Sequence, residues 1–131
     1  MDVKDIRQTI IFKASPHEVY EALMDSGKHS EFTGDKAVIS RDVGGRFTAY
    51  GGYIEGENIE LEADKKIVQK WRGSDWPEGH YSKVIFLLEK VKEGTKLTFT
   101  QKGVPAGQHK AISDGWHEHY WEKMKKMLEK P

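Results

Sequence analysis

Residues 5–15, DIRQTIIFKAS, set Ile6, Gln8, Ile10 and Phe12 against Arg7, Thr9, Ile11 and Lys13. This two-residue period predicts a strand with one wetter face. The alternation stops at SPHEVYEALMD. There Ser15 is placed to cap a helix, Pro16 suits its first position, and Glu18 completes a capping box. Val19, Tyr20, Leu23 and Met24 share one face of that helix. DSGKHSEFTG predicts a second short helix, with Phe32 inward and Gly34 ending it.

From Asp35 to Gly103 the pattern is a run of strands divided by turn signals. GGRFTAY meets YIEGENIEL across Gly51-Gly52, a pair that accepts the positive φ angles of a tight hairpin. ADKK turns into IVQKW, and YSKVIFLLEKV joins TKLTFTQK across KEG, with Gly94 at the corner. In the last strand Leu97 and Phe99 face one side while Lys96, Thr98, Thr100 and Lys102 face the other. That is an antiparallel sheet with one dry face. VPAGQHK breaks it, and a helix is predicted over Gln108–Lys130, where Ile112, Trp116, Tyr120, Met124, Met127 and Leu128 form one stripe. The expected fold is α+β and of the helix-grip kind. A curved sheet of about six to seven strands wraps the C-terminal helix, two short helices follow the first strand, and a cavity lies between sheet and helix. Only the long helix is expected to cover the dry face.

At 131 residues the chain is read as one domain spanning 1–131, long enough to bury a core without staples. It has no cysteine, which removes disulfides, thiolate zinc sites and cysteine nucleophiles. Its 21 basic and 21 acidic residues cancel and alternate, unlike the concentrated basic face of a nucleic-acid binder. Neither a signal peptide nor a membrane span is legible. The expectation is a cytoplasmic monomer with no nucleic-acid or membrane partner.

The chemistry-bearing residues assemble no active site. His117 and His119 lie two apart on a helix, roughly 200° around it, and cannot share an ion; no metal or cofactor is expected. His80 is expected to satisfy backbone groups in its own loop. The glycines open a strand and turn a hairpin without the helix N-terminus a phosphate loop needs. Glu55, Glu57, Glu60 and Glu62 read as the wet face of a strand, and no serine or threonine sits on a nucleophile elbow.

Aromatic residues remain. Phe32, Phe47, Trp71, Trp76, Phe86, Trp116 and Tyr120 are the candidate lining of the cavity, either filling it or leaving room for an apolar ligand. WRGSDWPEGHY places Arg72, Trp76, Pro77, His80 and Tyr81 where a loop presents them to a partner, tryptophan and arginine being frequent interface hot spots. Trp76 is expected either to close the cavity mouth or to face that partner.

The element order resembles the START-like (SRPBCC) helix-grip superfamily. More narrowly, GGRF, IVQKWR, DWPEGHYSKV, GTKLTF, GVP and GWHEHYW are similar, in order and spacing, to the C-terminal domain of the activator of the heat-shock protein 90 ATPase. The similarity runs from about Ile6 to Met127. The matching positions are Gly44, Gly45, Phe47, Trp71, Arg72, Trp76, Pro77, Gly79, His80, Gly115 and Trp116. The resemblance implies a non-enzymatic, co-chaperone-like module that contacts a heat-shock protein 90-type chaperone near its N-terminal ATPase domains. The family's two-domain members begin with a further domain that does much of the docking, and these residues leave no room for it. The alternative is a carrier of a small apolar ligand held in the cavity.

Overall fold

In the computed structural model, which describes residues 2–129, the first strand β1 (Val3–Phe12) ends at the predicted capping box. Ser15 Oγ accepts from the Glu18 N–H at 3.2 Å, and Glu18 Oε1 accepts from the Ser15 N–H at 3.1 Å. These bonds satisfy donors that a helix start leaves orphaned. Helix α1 (Pro16–Met24) follows, then α2 (Ser26–Thr33), which Gly34 closes in the left-handed conformation at φ 75°.

Six more strands complete the sheet: β2 (Val38–Ile39), β3 (Arg46–Ala49), β4 (Ile54–Glu62), β5 (Lys66–Gly73), β6 (Ser82–Val91) and β7 (Gly94–Pro105). They form one open antiparallel sheet in the order β1-β7-β6-β5-β4-β3-β2. The expected turn between β3 and β4 carries positive φ at Gly51 and Gly52, and also at Tyr50. Gly56 lets the middle of the sheet close up. A β-carbon there would stand 1.9 Å from the Lys70 carbonyl oxygen and 2.5 Å from the Phe47 ring.

The C-terminal helical run starts one residue later than predicted, and Lys130 lies outside the described residues. It comprises α3 (His109–Trp116), a wide π-helical turn (His117–Trp121) and α4 (Glu122–Leu128). The α+β helix-grip fold is as expected, but the C-terminal helix is not alone in covering the dry face. The dry face is shared, because Val19, Tyr20, Leu23 and Met24 of α1 and Phe32 of α2 enter the same core as Trp116, Tyr120 and Met124. The sequence pattern marked α1 as amphipathic but said nothing about which surface it would meet. Among the described residues no helix is long and apolar enough to cross a membrane.

Candidate functional site

The stripe on the C-terminal run is wider than a regular helix allows. The π turn adds about one residue to a helical turn, so Trp116 and Trp121, five apart, come to the same side. Their rings stack at 5.4 Å with 20° between planes. Each indole is then tied to the sheet by a buried glutamine. Trp116 Nε1 donates to Gln101 Oε1 at 2.7 Å, and Gln101 Nε2 donates to Ser82 Oγ at 2.9 Å. Trp121 Nε1 donates to Gln8 Oε1 at 2.6 Å, while Gln8 Nε2 reaches back to the Ser113 carbonyl at 3.0 Å. Fully paired buried amides of this kind fix orientation, since breaking either pair strands a polar atom in the core.

Beside these indoles His29 is buried. Its Nδ1 lies 3.2 Å from the Leu23 carbonyl, which only accepts, so Nδ1 carries the proton. Nε2 therefore accepts from the Tyr120 hydroxyl at 2.9 Å. Burial lowers the His29 pKa to about 4, partly offset by the Leu23 bond, and burial raises that of Tyr120.

Between the β3–β4 turn and the α3–π-turn segment lies an open cleft of about 430 Å³. Trp71, Trp116 and Tyr120 line it with Ile54 and Ile112, and Asp35, Glu118 and His119 supply polar groups. Tyr50 spans one wall. Its hydroxyl donates to the His119 carbonyl at 2.7 Å, tying the hairpin to the π turn. Burial, and then Asp35, push the Tyr50 phenol up to about 12. Tyr53 on the same hairpin donates to Asp75 Oδ1 at 2.7 Å, and burial followed by that bond raises it also to about 12. Deeper, under Phe47, Trp71, Phe86, Trp116 and Tyr120, the residual void is only about 20 Å³, room for about one water molecule.

The loop between β5 and β6 is built around Arg72. Its guanidinium donates to the Trp76 carbonyl at 2.7 Å and stands 3.5 Å from Glu55 Oε1. His80 Nε2 donates to the Gly103 carbonyl at 2.8 Å, so it satisfies a backbone group of β7 and not, as expected, one in its own loop. The Trp76 indole packs on Trp71, with ring centroids 5.4 Å apart, and is 4% exposed. Arg72 Nε and Trp76 Nε1 are buried donors without a protein acceptor.

The predicted cavity residues therefore separate. Trp71, Trp116 and Tyr120 line the cleft, Phe47 and Phe86 border the small void, and Phe32 packs edge-on against Tyr120 at 5.5 Å behind them. Trp76 corrects both expectations placed on it: it lines neither space and presents no indole to a partner, because the loop folds inward over Trp71. Of the proposed partner-facing residues, Pro77 is exposed, His80 and Tyr81 are half-buried, and Arg72 is mostly covered. Sequence reading did not single out His29, Gln8, Gln101, Tyr50, Tyr53 or Trp121. Gln101 had a signal, since it continues the inward parity of Leu97 and Phe99; Trp121 had a weaker one, three residues before Met124 and seven before Leu128 at the edge of the stripe.

An open antiparallel sheet gripping a C-terminal helix through an aromatic core defines the helix-grip class of α+β protein. Residues 13–129 match the family model described as Activator of Hsp90 ATPase homolog 1-like protein, and the chain belongs to that family. The human Activator of 90 kDa heat shock protein ATPase homolog 1 is 32% identical over 87% of this chain and 34% of its own length. The Saccharomyces cerevisiae Hsp90 co-chaperone AHA1 is 24% identical over 83% of this chain and 33% of its own. This chain thus spans about a third of the length of the curated relatives it matches. A crystal structure of an HSP90 activator from Plasmodium falciparum superposes with a TM-score of 0.91 at 29% identity, over 97% of both chains.

Proposed function

We propose that the chain acts by binding and not by turnover, as a co-chaperone-like module that docks on a heat-shock protein 90-type chaperone. The observation that carries this reading is the end-to-end match to the Plasmodium falciparum HSP90 activator. The docking surface is the outer side of the Arg72–Tyr81 loop, with Trp76 as its internal anchor. Because Arg72 and His80 already hold the loop's shape, little ordering entropy remains to oppose binding. Two ionisable groups shifted by burial, one in the core and one at the cleft, are unsuited to turnover. His29 sits near 4 and Tyr50 near 12, so neither is poised near neutrality as a general acid or base.

Calorimetry with the chaperone from the same organism, alongside its ATPase rate, tests this reading. The expected affinity is micromolar or weaker, around −8 kcal/mol at best. Tyr81→Ala is the informative variant, because Tyr81 can be truncated without opening the core, and about a thirtyfold loss is expected of a hot-spot aromatic. No binding by the wild-type chain at concentrations of about 100 µM would refute the chaperone reading. Binding unchanged by Tyr81→Ala would retain the partner and discard the loop.

The cleft favours a second reading, a carrier of a small apolar ligand, since its volume falls in the range of about 300–1,000 Å³ typical of ligand sites. Titration with fatty acids, sterols and flavonoids should then move the resonances of Trp71, Trp116 and Tyr120. Silence with all three classes removes the carrier.

A further inference from the structure

The outer face of the sheet carries a charge pattern that neither the cleft nor the loop uses. Lys70 on β5 lies directly opposite Lys83 on β6, which lies directly opposite Lys102 on β7. Directly paired residues project from the same face, on strands about 4.8 Å apart, and all three side chains are exposed. Three ammonium groups thus form one row, an arrangement that opposes folding because like charges face each other across strands. No described carboxylate comes within 4.0 Å of any of them. Asp5, near the β7 end of the row, accepts instead from the Gly103 N–H at 3.1 Å. At the β5 end Lys70 rests 4.6 Å over the Tyr81 ring, with Glu57 opposite it on β4. The neighbouring row runs Arg7, Thr100, Ile85, Val68, and beyond it Leu87 is 44% exposed.

We propose that this face docks an acidic segment of a protein partner, with its carboxylates on Lys70, Lys83 and Lys102 and an apolar side chain against Ile85 and Leu87. Glu57 faces only the Lys70 end of the row, so the partner supplies the counter-charge that Lys83 and Lys102 lack. A protein segment fits better than a phosphate backbone or an anionic membrane. Both of those need a broad basic surface, whereas this row ends beside the β4 column of Glu55, Glu57, Glu60 and Glu62. The proposal stands whether or not the partner is a chaperone.

The test is an amide-shift titration of the full chain with four probes. These are a short synthetic peptide of glutamates with two leucines, its glutamine counterpart, single-stranded oligothymidylate, and phosphatidylserine vesicles. The acidic peptide alone should shift Lys70, Lys83, Leu87 and Lys102, less so as salt rises. Lys83→Glu should weaken that binding about tenfold, since one attractive pair becomes repulsive. The same variant should melt about 1–3 °C higher, because it relieves the row, so weaker binding cannot be ascribed to lost folding. Silence with the acidic peptide, equal shifts with the glutamine peptide, or preferential binding of oligothymidylate or vesicles to this row would each overturn the proposal. A lower melting temperature for Lys83→Glu would overturn its premise.

Discussion

At His29 the folded chain holds a neutral imidazole with a pKa near 4, while the unfolded chain returns it to about 6.5. Between those values the unfolded state binds the proton and the folded state does not, so stability falls as pH drops from 6.5 toward 4. The full shift corresponds to about 3 kcal/mol. Urea midpoints at neutral and mildly acidic pH should show this loss in the wild type and a much smaller one in His29→Gln; equal losses would remove the assignment. The indoles differ at the same scale. Trp116→Phe removes the donor to buried Gln101 and strands its oxygen, whereas Trp76→Phe removes an N–H that has no protein acceptor. Denaturant melts should therefore find Trp116→Phe the costlier by about 1–3 kcal/mol. Equal costs would mean that the Gln101 bond contributes nothing.

Among the elements, the C-terminal run separates what sequence reveals from what it hides. Period-two alternation located β1 and β7 and their inward faces, and Ser15, Pro16 and Glu18 fixed the start of α1, because each signal is local to the element that carries it. The stripe from Ile112 to Leu128 was equally plain. Trp121 stands at the edge of that stripe, and the π turn that stacks it on Trp116 carries tertiary ties that no window of sequence contains. Those ties are the Trp121–Gln8 bond and the Tyr50–His119 bond. Trp76 misled for a related reason: Pro77 and Gly79 do signal an exposed turn, but Arg72 curls the chain so that the indole points inward. Trp121 should accordingly behave as core. Trp121→Ala is expected to cost about 3–5 kcal/mol and to leave Gln8 Oε1 without its donor. A nearly neutral result in urea unfolding would show that the π turn does not hold the helix on the sheet.

For the whole molecule, a nearly filled core lies behind an open cleft and a structured exterior. The aromatic core leaves a void of about 20 Å³ beneath the helix, and the Trp–Gln pairs hold it shut. The loop and the lysine row, by contrast, expose Pro77, Glu78, Lys70, Lys83 and Lys102. On the proposed function, a macromolecular partner is met on this outer surface while the interior stays unchanged. The chain's four tryptophans make it directly measurable, since each indole N–H gives its own resonance. A nitrogen–proton spectrum recorded as the heat-shock protein 90-type chaperone is added should show amide shifts from Glu78 to Tyr81, with the Trp116 and Trp121 indole signals fixed on their glutamines. Movement of those two indole signals with the loop amides unmoved would contradict the account and place the partner's effect inside the grip.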